Sequence, residues 1–292
     1  MSETTELDEN TIIGNPVVAE NSVKFKANSH GNILFCEDGT DLRGSAITFN
    51  GDNALVYLSK NRHQYKLSVS MNRDNTLYVG KDNYFNGKLN LILSERKHIV
   101  IGDDGLFSFG IWLRTADPHL IYDCETHERI NPSKNILIGD HVWIGQGSLV
   151  LKGSTISSGS IIGANSTVSG KLIPSNQSWA GAPAKKIAEN IFFDGACVHN
   201  WTEAQTEASQ HFASDKWIFT TDQALSHTST DGIFKKLDSL QSAKDRLNYL
   251  QNSPIELQGR YRFANSNPGE NIRAETNAQR AGYFSRLLGK LN

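Results

Sequence analysis

A chain of 292 residues with 38% hydrophobic and 9% aromatic side chains has the apolar material for a real core in one or two domains. Its net charge of −2 argues against nucleic-acid binding by bulk charge and leaves only a local basic patch for a phosphate-bearing ligand. Cys36, Cys124 and Cys197 are odd in number and far apart, which suits neither a disulfide framework nor a zinc site and points to a reducing compartment.

Residues 1–20 read as a mobile N-terminal segment, acidic at its start through Glu3, Glu6, Asp8 and Glu9. The segment lacks the basic start and apolar run of a signal peptide, and no run of about 18 apolar residues follows, so a cytoplasmic protein is expected. Short β-type runs come next at 32–36, 46–49, 54–58, 65–69, 76–79 and 89–93. Turn pairs such as Asp38-Gly39, Asn50-Gly51 and Asn86-Gly87 separate them. Their spacing fits coils of a solenoid with long corners better than a separate sandwich.

A regular register follows. Ile101-Gly102-Asp103-Asp104 echoes Ile138-Gly139-Asp140-His141, and from Ile138 the same position recurs every six residues as Ile144, Val150, Ile156, Ile162 and Val168, drifting to Pro174 and Ala180. Four residues into each unit stands a small or β-branched side chain: Val142, Ser148, Ser154, Ser160 and Ser166, then Leu172, Ser178 and Ala184. Helical and alternating templates both fail at a period of six. A three-sided prism accounts for it, each unit forming one short strand and a corner, with coils of about 18 residues stacked at ~4.8 Å. Ile138 then lies under Ile156, and Ile156 under Pro174. Between Ile101 and Ile138 the count breaks, and about 19 residues beyond one coil must be extruded as a loop at a corner, where function commonly resides.

The prism is expected over 21–190 and a partly helical extension over 191–292. In the extension, Ile233, Leu237, Leu240, Leu247 and Leu250 mark one amphipathic helix over 233–250, and Ala281, Phe284, Leu288 and Leu291 mark another over 274–291. Arg280, Arg286 and Lys290 give the last a basic face, for which a solvated surface is the commoner reading and peripheral contact with an anionic membrane the alternative.

His119 stands in the extruded loop, between Asp117-Pro118 and Tyr122-Asp123. An imidazole is the natural base for a hydroxyl proton, and a nearby carboxylate would hold its tautomer. Trp143, just before an axial position, must face outward, either to pack on a neighbouring subunit or the loop, or to line a pocket where its N–H and ring plane meet an acyl group or a sugar. Lys152, Lys171, Lys185 and Lys186 are candidates for a ribose phosphate, and Gly163, Ala164, Gly181 and Ala182 would let a pantetheine arm lie along the backbone. No metal site is expected, since His119, His127 and His141 lack ligand spacing and His141 reads as the polar filler of its repeat. Ser148, Ser154 and Ser160 occupy the slot inside the coil and are not nucleophiles.

These residues resemble the left-handed β-helix, or hexapeptide-repeat, acyltransferases that use acetyl-CoA. Thr115-Ala116-Asp117-Pro118-His119, Ile121-Tyr122-Asp123, Arg129-Ile130-Asn131 and the run from Ile138 through His141-Val142-Trp143-Ile144-Gly145 look like the bacterial capsule O-acetyltransferases, including those acting on sialic-acid polymers. The resemblance covers about residues 99–190. It implies a mainly β fold, a left-handed parallel β-helix with an extruded catalytic loop, and direct acetyl transfer to a glycan hydroxyl. It also implies His119 as general base, Trp143 in the active site, a homotrimer with sites between two prisms, and a final coil at Ala180 to Lys185 that contacts coenzyme A. With these, the cofactor wall is assigned to Gly145, Gly163, Ala164, Gly181, Ala182, Lys185 and Lys186. N-acetylation of an amino sugar, or a non-catalytic β-helix binding module, are the alternatives.

Overall fold

A computed structural model of the protein describes residues 9–219 and 230–252. Its short strands stack into three sheets of eight, six and seven strands, which are the three faces of one parallel β-helix. The chain visits the faces in turn. Within one coil, His98–Ile101 lies on the first face, Leu106–Phe107 on the second and Trp112–Arg114 on the third.

Coil length decides where the functional loop emerges. On the third face Val69, Leu91 and Leu113 stack at intervals of 22 residues, Leu113 to Val150 takes 37, and Val150 to Val168 takes 18. The irregular runs before residue 94 are thus coils of the same solenoid with longer corners. Two expectations change. Thr11–Ile13 pairs in parallel with Ile33–Cys36 and so belongs to the first face, not to a mobile segment, because its backbone completes the sheet edge. And Ile156 lies under Ile173, not Pro174, because the corner after Thr167–Ser169 has two residues where the one after Leu149–Leu151 has three.

Inside, Ile138, Ile144, Val150, Ile156, Ile162, Val168 and Ile173 are fully buried along the axis, continuous below with Leu113, Phe107 and Ile101. The serines of the repeat are equally buried and satisfy backbone carbonyls: Ser148 Oγ donates to Gly163, Ser154 Oγ to Leu151 and Val168, and Ser160 Oγ to Pro174. Ile156→Ala should therefore destabilise the protein by about 2–5 kcal/mol, read as a lower urea midpoint, since neighbours held by strand pairing collapse little into the hole. A loss below ~1 kcal/mol would contradict a close-packed axis. At the C-terminal end Trp179 packs against the core, and strand Lys185–Glu189 turns back antiparallel to Gln177–Ala180, covering the second face's open edge.

The extension crosses the prism rather than leaving it. After a short capped helix, α1 (Glu203–Ala208), helices α2 (Thr230–Ser239) and α3 (Ala243–Asn252) lie on the first face. There Ile233, Leu237, Leu247 and Leu250 pack on Leu55, Tyr57, Tyr78, Val100 and Leu137. The expected single helix over 233–250 is two, because residues 240–242 turn at a corner of the prism: Asn53 donates to the Gln241 carbonyl and accepts from Ala243 N–H, and buried Arg246 donates to the Asn53 and Leu240 carbonyls. His98, almost wholly buried, where desolvation pushes its imidazole below the usual range, meets Asp238 at 3.2 Å. The expected helix over 274–291 and its basic face lie outside the described residues. Among the described residues no helix is long and apolar enough to cross a membrane.

Candidate active site

The 37-residue coil spends its surplus on residues 115–135, which leave the third face after Trp112–Arg114 and rejoin the first at Ile136–Ile138. The loop has internal order. Tyr122 and Arg129 form an antiparallel bridge, Ile130 N–H donates to the Ile121 carbonyl at 2.9 Å, and Asp123 N–H to the Glu128 carbonyl at 2.9 Å. His127 turns the tip at φ +57°, while Asp123 accepts from the Glu125 and Thr126 amides, which hold its carboxyl below the usual range.

One residue gathers the loop's base. Asn131, buried, accepts from Ile121 N–H at 2.9 Å through its Oδ1, and donates through Nδ2 to the His119 carbonyl at 2.8 Å and to Asp117 at 3.1 Å. Lys152, from the next coil, donates to Asp117 at 2.6 Å and to the Asn131 carbonyl at 3.0 Å. Lys152 therefore anchors the loop instead of reaching for a cofactor phosphate. It also holds the Asp117 carboxyl below its ordinary range. His119 itself is exposed, its backbone fixed by Asn131. Both flanking carboxylates, Asp117 and Asp123, have other partners, contrary to the expectation that one orients the imidazole.

A second clamp holds the far side of the loop. Arg129 forks onto Glu95 at 2.7 and 2.8 Å, and Ser133 donates to the same carboxylate. These bonds, the Arg129 fork first, lower the Glu95 carboxyl to about 2. A carboxyl depressed in the folded state stabilises fully above its unfolded range and loses that contribution as pH falls through the folded value. The clamp should thus persist down to about pH 4.5 and fail towards pH 2. At pH 7, Glu95→Gln should lower hydrogen-exchange protection of the Asp123 and Ile130 amides by about tenfold while sparing the Gly145 amide on the second face. Equal protection in mutant and wild type would remove the clamp from the account.

Trp143 lies on the second face, partly exposed, in an outward row with Tyr84, Leu106 and Ile161. Within one chain the topology therefore sets His119 at the corner of the third and first faces and Trp143 on a different face. The expected cofactor residues gather at the corner of the second and third faces but divide into two kinds. Gly145 and Gly163 face the next coil: a Cβ on Gly145 would come within 2.6 Å of the Ala164 nitrogen, and one on Gly163 within 2.8 Å of the Ala180 Cβ. Coil stacking alone accounts for both glycines. Ala164, Gly181, Ala182, Lys185 and Lys186 are exposed, and a Cβ on Gly181, at φ +98°, would meet only the Pro183 carbonyl oxygen, at 3.6 Å. Lys186 is ion-paired with Glu189 at 2.6 Å, and Lys171 lies 5.9 Å from the Trp179 ring centroid.

His141 is not a filler. Asp82, Asp104, His141 and Asn176 stand at one corner with left-handed backbone, φ +50° to +57°, and Gly159 continues the column at +77°. Asp, Asn, His and Gly all tolerate that conformation, so the repeat position by itself carries no signal of the histidine's use. Its ring is sandwiched between Phe193 at 4.0 Å and Trp217 at 3.4 Å, both nearly parallel to it. Nδ1 meets Asp104 Oδ2 and Nε2 meets the Phe193 carbonyl, each at 3.0 Å. Higher on the same column, Gly159 leaves room for the Phe219 ring, and Asn176 bonds the Ile191 and Trp217 carbonyls and Phe219 N–H. Residues 191–193 and 217–219, the two ends of one segment, thus strap this corner.

Comparison with known proteins agrees with this architecture. The bacterial transferase hexapeptide family (six repeats) matches residues 135–170. The polysialic acid O-acetyltransferase of Neisseria meningitidis is 40% identical over 95 residues, 32% of this chain and 44% of that protein. The polysialic acid O-acetyltransferase of Escherichia coli O1:K1 / APEC is 41% identical over 104 residues, 36% of this chain and 30% of that protein. The matched segment thus spans less than half the length of either relative. The crystal structure of the polySia specific acetyltransferase NeuO aligns with a TM-score of 0.53 at 24% identity, over 68% of this chain and 97% of that one. The likeness identifies the fold as a left-handed parallel β-helix, and the chain resembles hexapeptide-repeat acetyltransferases of the capsule O-acetyltransferase type.

Proposed function

We propose that the protein is an acetyl-CoA-dependent O-acetyltransferase acting on a hydroxyl of a bacterial surface glycan, a sialic-acid polymer or its precursor. The observation that carries this reading is the outsized coil, whose extra residues are locked by Asn131 and Glu95 so that His119 stands on a fixed backbone with an exposed ring. The names of the two relatives support the acetyl group and the sialic-acid acceptor.

His119 takes the proton of the acceptor hydroxyl as that oxygen bonds to the acetyl carbonyl carbon, and returns it to sulfur as the carbon–sulfur bond breaks. General base catalysis of this kind is worth roughly 10²–10⁴-fold, and holding both substrates in one cleft supplies much of the rest. Backbone amides near the repeat corner are assigned to the developing oxyanion, where one donor contributes about 3–4 kcal/mol, and the Trp143 ring plane to the acceptor sugar. For the donor substrate, the exposed backbone at Ala164, Gly181 and Ala182 suits an extended pantetheine arm, with Lys185 at its phosphate end. Gly145 and Gly163 act there indirectly, by letting the coils close up. An acetyl-CoA donor places the reaction in the cytoplasm.

The active unit in this reading is a homotrimer. His119 and Trp143 lie on different sides of one prism, and α2 and α3 already cover the first face. A neighbour's second face set against the loop would join the two and bury the exposed Leu120, Ile121, Tyr122 and Ile130. The test is incubation with acetyl-CoA and a panel of bacterial polysaccharides, following thiol release. We expect release with sialic-acid polymers and a product acetyl group labile to mild alkali, as an ester is and an amide is not. Alkali-stable product, or no release with any glycan, would overturn the reading.

A further inference from the structure

The strap brings an aromatic ring to the proposed active site. Phe193 lies 5.8 Å from the Trp143 ring at 50°, within the range of a direct aromatic contact. Its other partner is the His141 ring, stacked at 4.0 Å, and its carbonyl is bonded to His141 Nε2, so the residue is held at both ring and backbone. Phe193 is only 8% exposed, whereas Trp143 is 37% exposed. A tryptophan on an open β-face has free rotation at two side-chain torsions, and a fixed ring against one side removes part of that freedom.

We propose that Phe193 is a positioning residue for acetyl transfer: seated by His141, it holds the Trp143 indole in the orientation in which its exposed side meets the acceptor sugar. The strap would thereby make the C-terminal extension a working part of the site rather than an appendage. This inference rests on the reading of Trp143 as an active-site residue. The strap has anchors independent of the Phe193 side chain, namely Asn176 on three backbone groups and Phe219 over Gly159, so truncating that one ring leaves the strap seated.

The test uses the full-length protein labelled with 5-fluorotryptophan, its Trp143 resonance assigned by its loss in Trp143→Phe. In Phe193→Ala we expect that resonance to shift and broaden, and KM for a sialic-acid polymer to rise about tenfold with KM for acetyl-CoA within about twofold of wild type. Phe193→Tyr, which keeps the ring, should restore both. A Phe193→Ala protein with wild-type acceptor KM and an unmoved Trp143 resonance, in a background where Trp143→Ala does lower transfer, would overturn the proposal alone. Undiminished transfer by Trp143→Ala would overturn the active-site reading of Trp143, and the proposal with it.

Discussion

His119→Ala is expected to lower the turnover of acetyl transfer by about 10²–10⁴-fold while acetyl-CoA binding and trimer formation stay as in wild type. The separation of effects follows from placement. The His119 side chain is exposed on a loop held through its backbone, so removing the imidazole breaks none of the bonds that build the loop. Turnover is read by thiol release under saturating substrates and cofactor binding by calorimetry. Near-normal turnover would remove His119 from the reaction, and lost cofactor binding would show that the loop, not the base, had been damaged.

The second large effect belongs to a residue that need touch no substrate. Asn131→Asp keeps an oxygen towards the Ile121 amide but replaces the donor facing Asp117 and the His119 carbonyl with a second acceptor, setting like charges about 3 Å apart. Displacement of a catalytic base by about 1 Å is enough to cost on the order of 10²-fold in rate, and a loss of that size in kcat is expected if His119 is the base proposed. Thermal stability should fall little, because the axial core lies elsewhere. Asn131→Ala should lie between this variant and wild type. If Asn131→Asp turned over normally, the loop would be held mainly by the Arg129–Glu95 clamp.

Much of the fold was legible because a solenoid writes its geometry into spacing. The recurrence of aliphatics from Ile138 to Val168 is a direct consequence of one axial residue per face, and the buried serines follow from the space left beside it. The loop was legible as a failure of the same count. What spacing cannot carry is any contact made at right angles to it. The single-residue slip to Ile173 turns on the size of one corner. The division of the expected helix at 240–242 turns on Asn53, almost two hundred residues earlier. His141 has a place in the repeat that hides its use, since its partners Phe193 and Trp217 arrive from the extension. Around the loop, spacing gave the residue types and not their partners. Lys152 and the glycines at 145 and 163 are explained by holding the scaffold together, and the partners of Asp117 were invisible until the next coil was stacked above it.

The corner column has a consequence for how the molecule comes apart. In a solenoid each coil communicates only with the coils above and below, so the last one is ordinarily the first to fray. Here the strap ties His141, Gly159 and Asn176, members of three successive coils, to one continuous segment. Opening the terminal turn therefore requires releasing Trp217 and Phe219 from all three at once. The coil that presents Gly181 and Lys185 and the coil that presents Trp143 are therefore expected to open together, as one cooperative block.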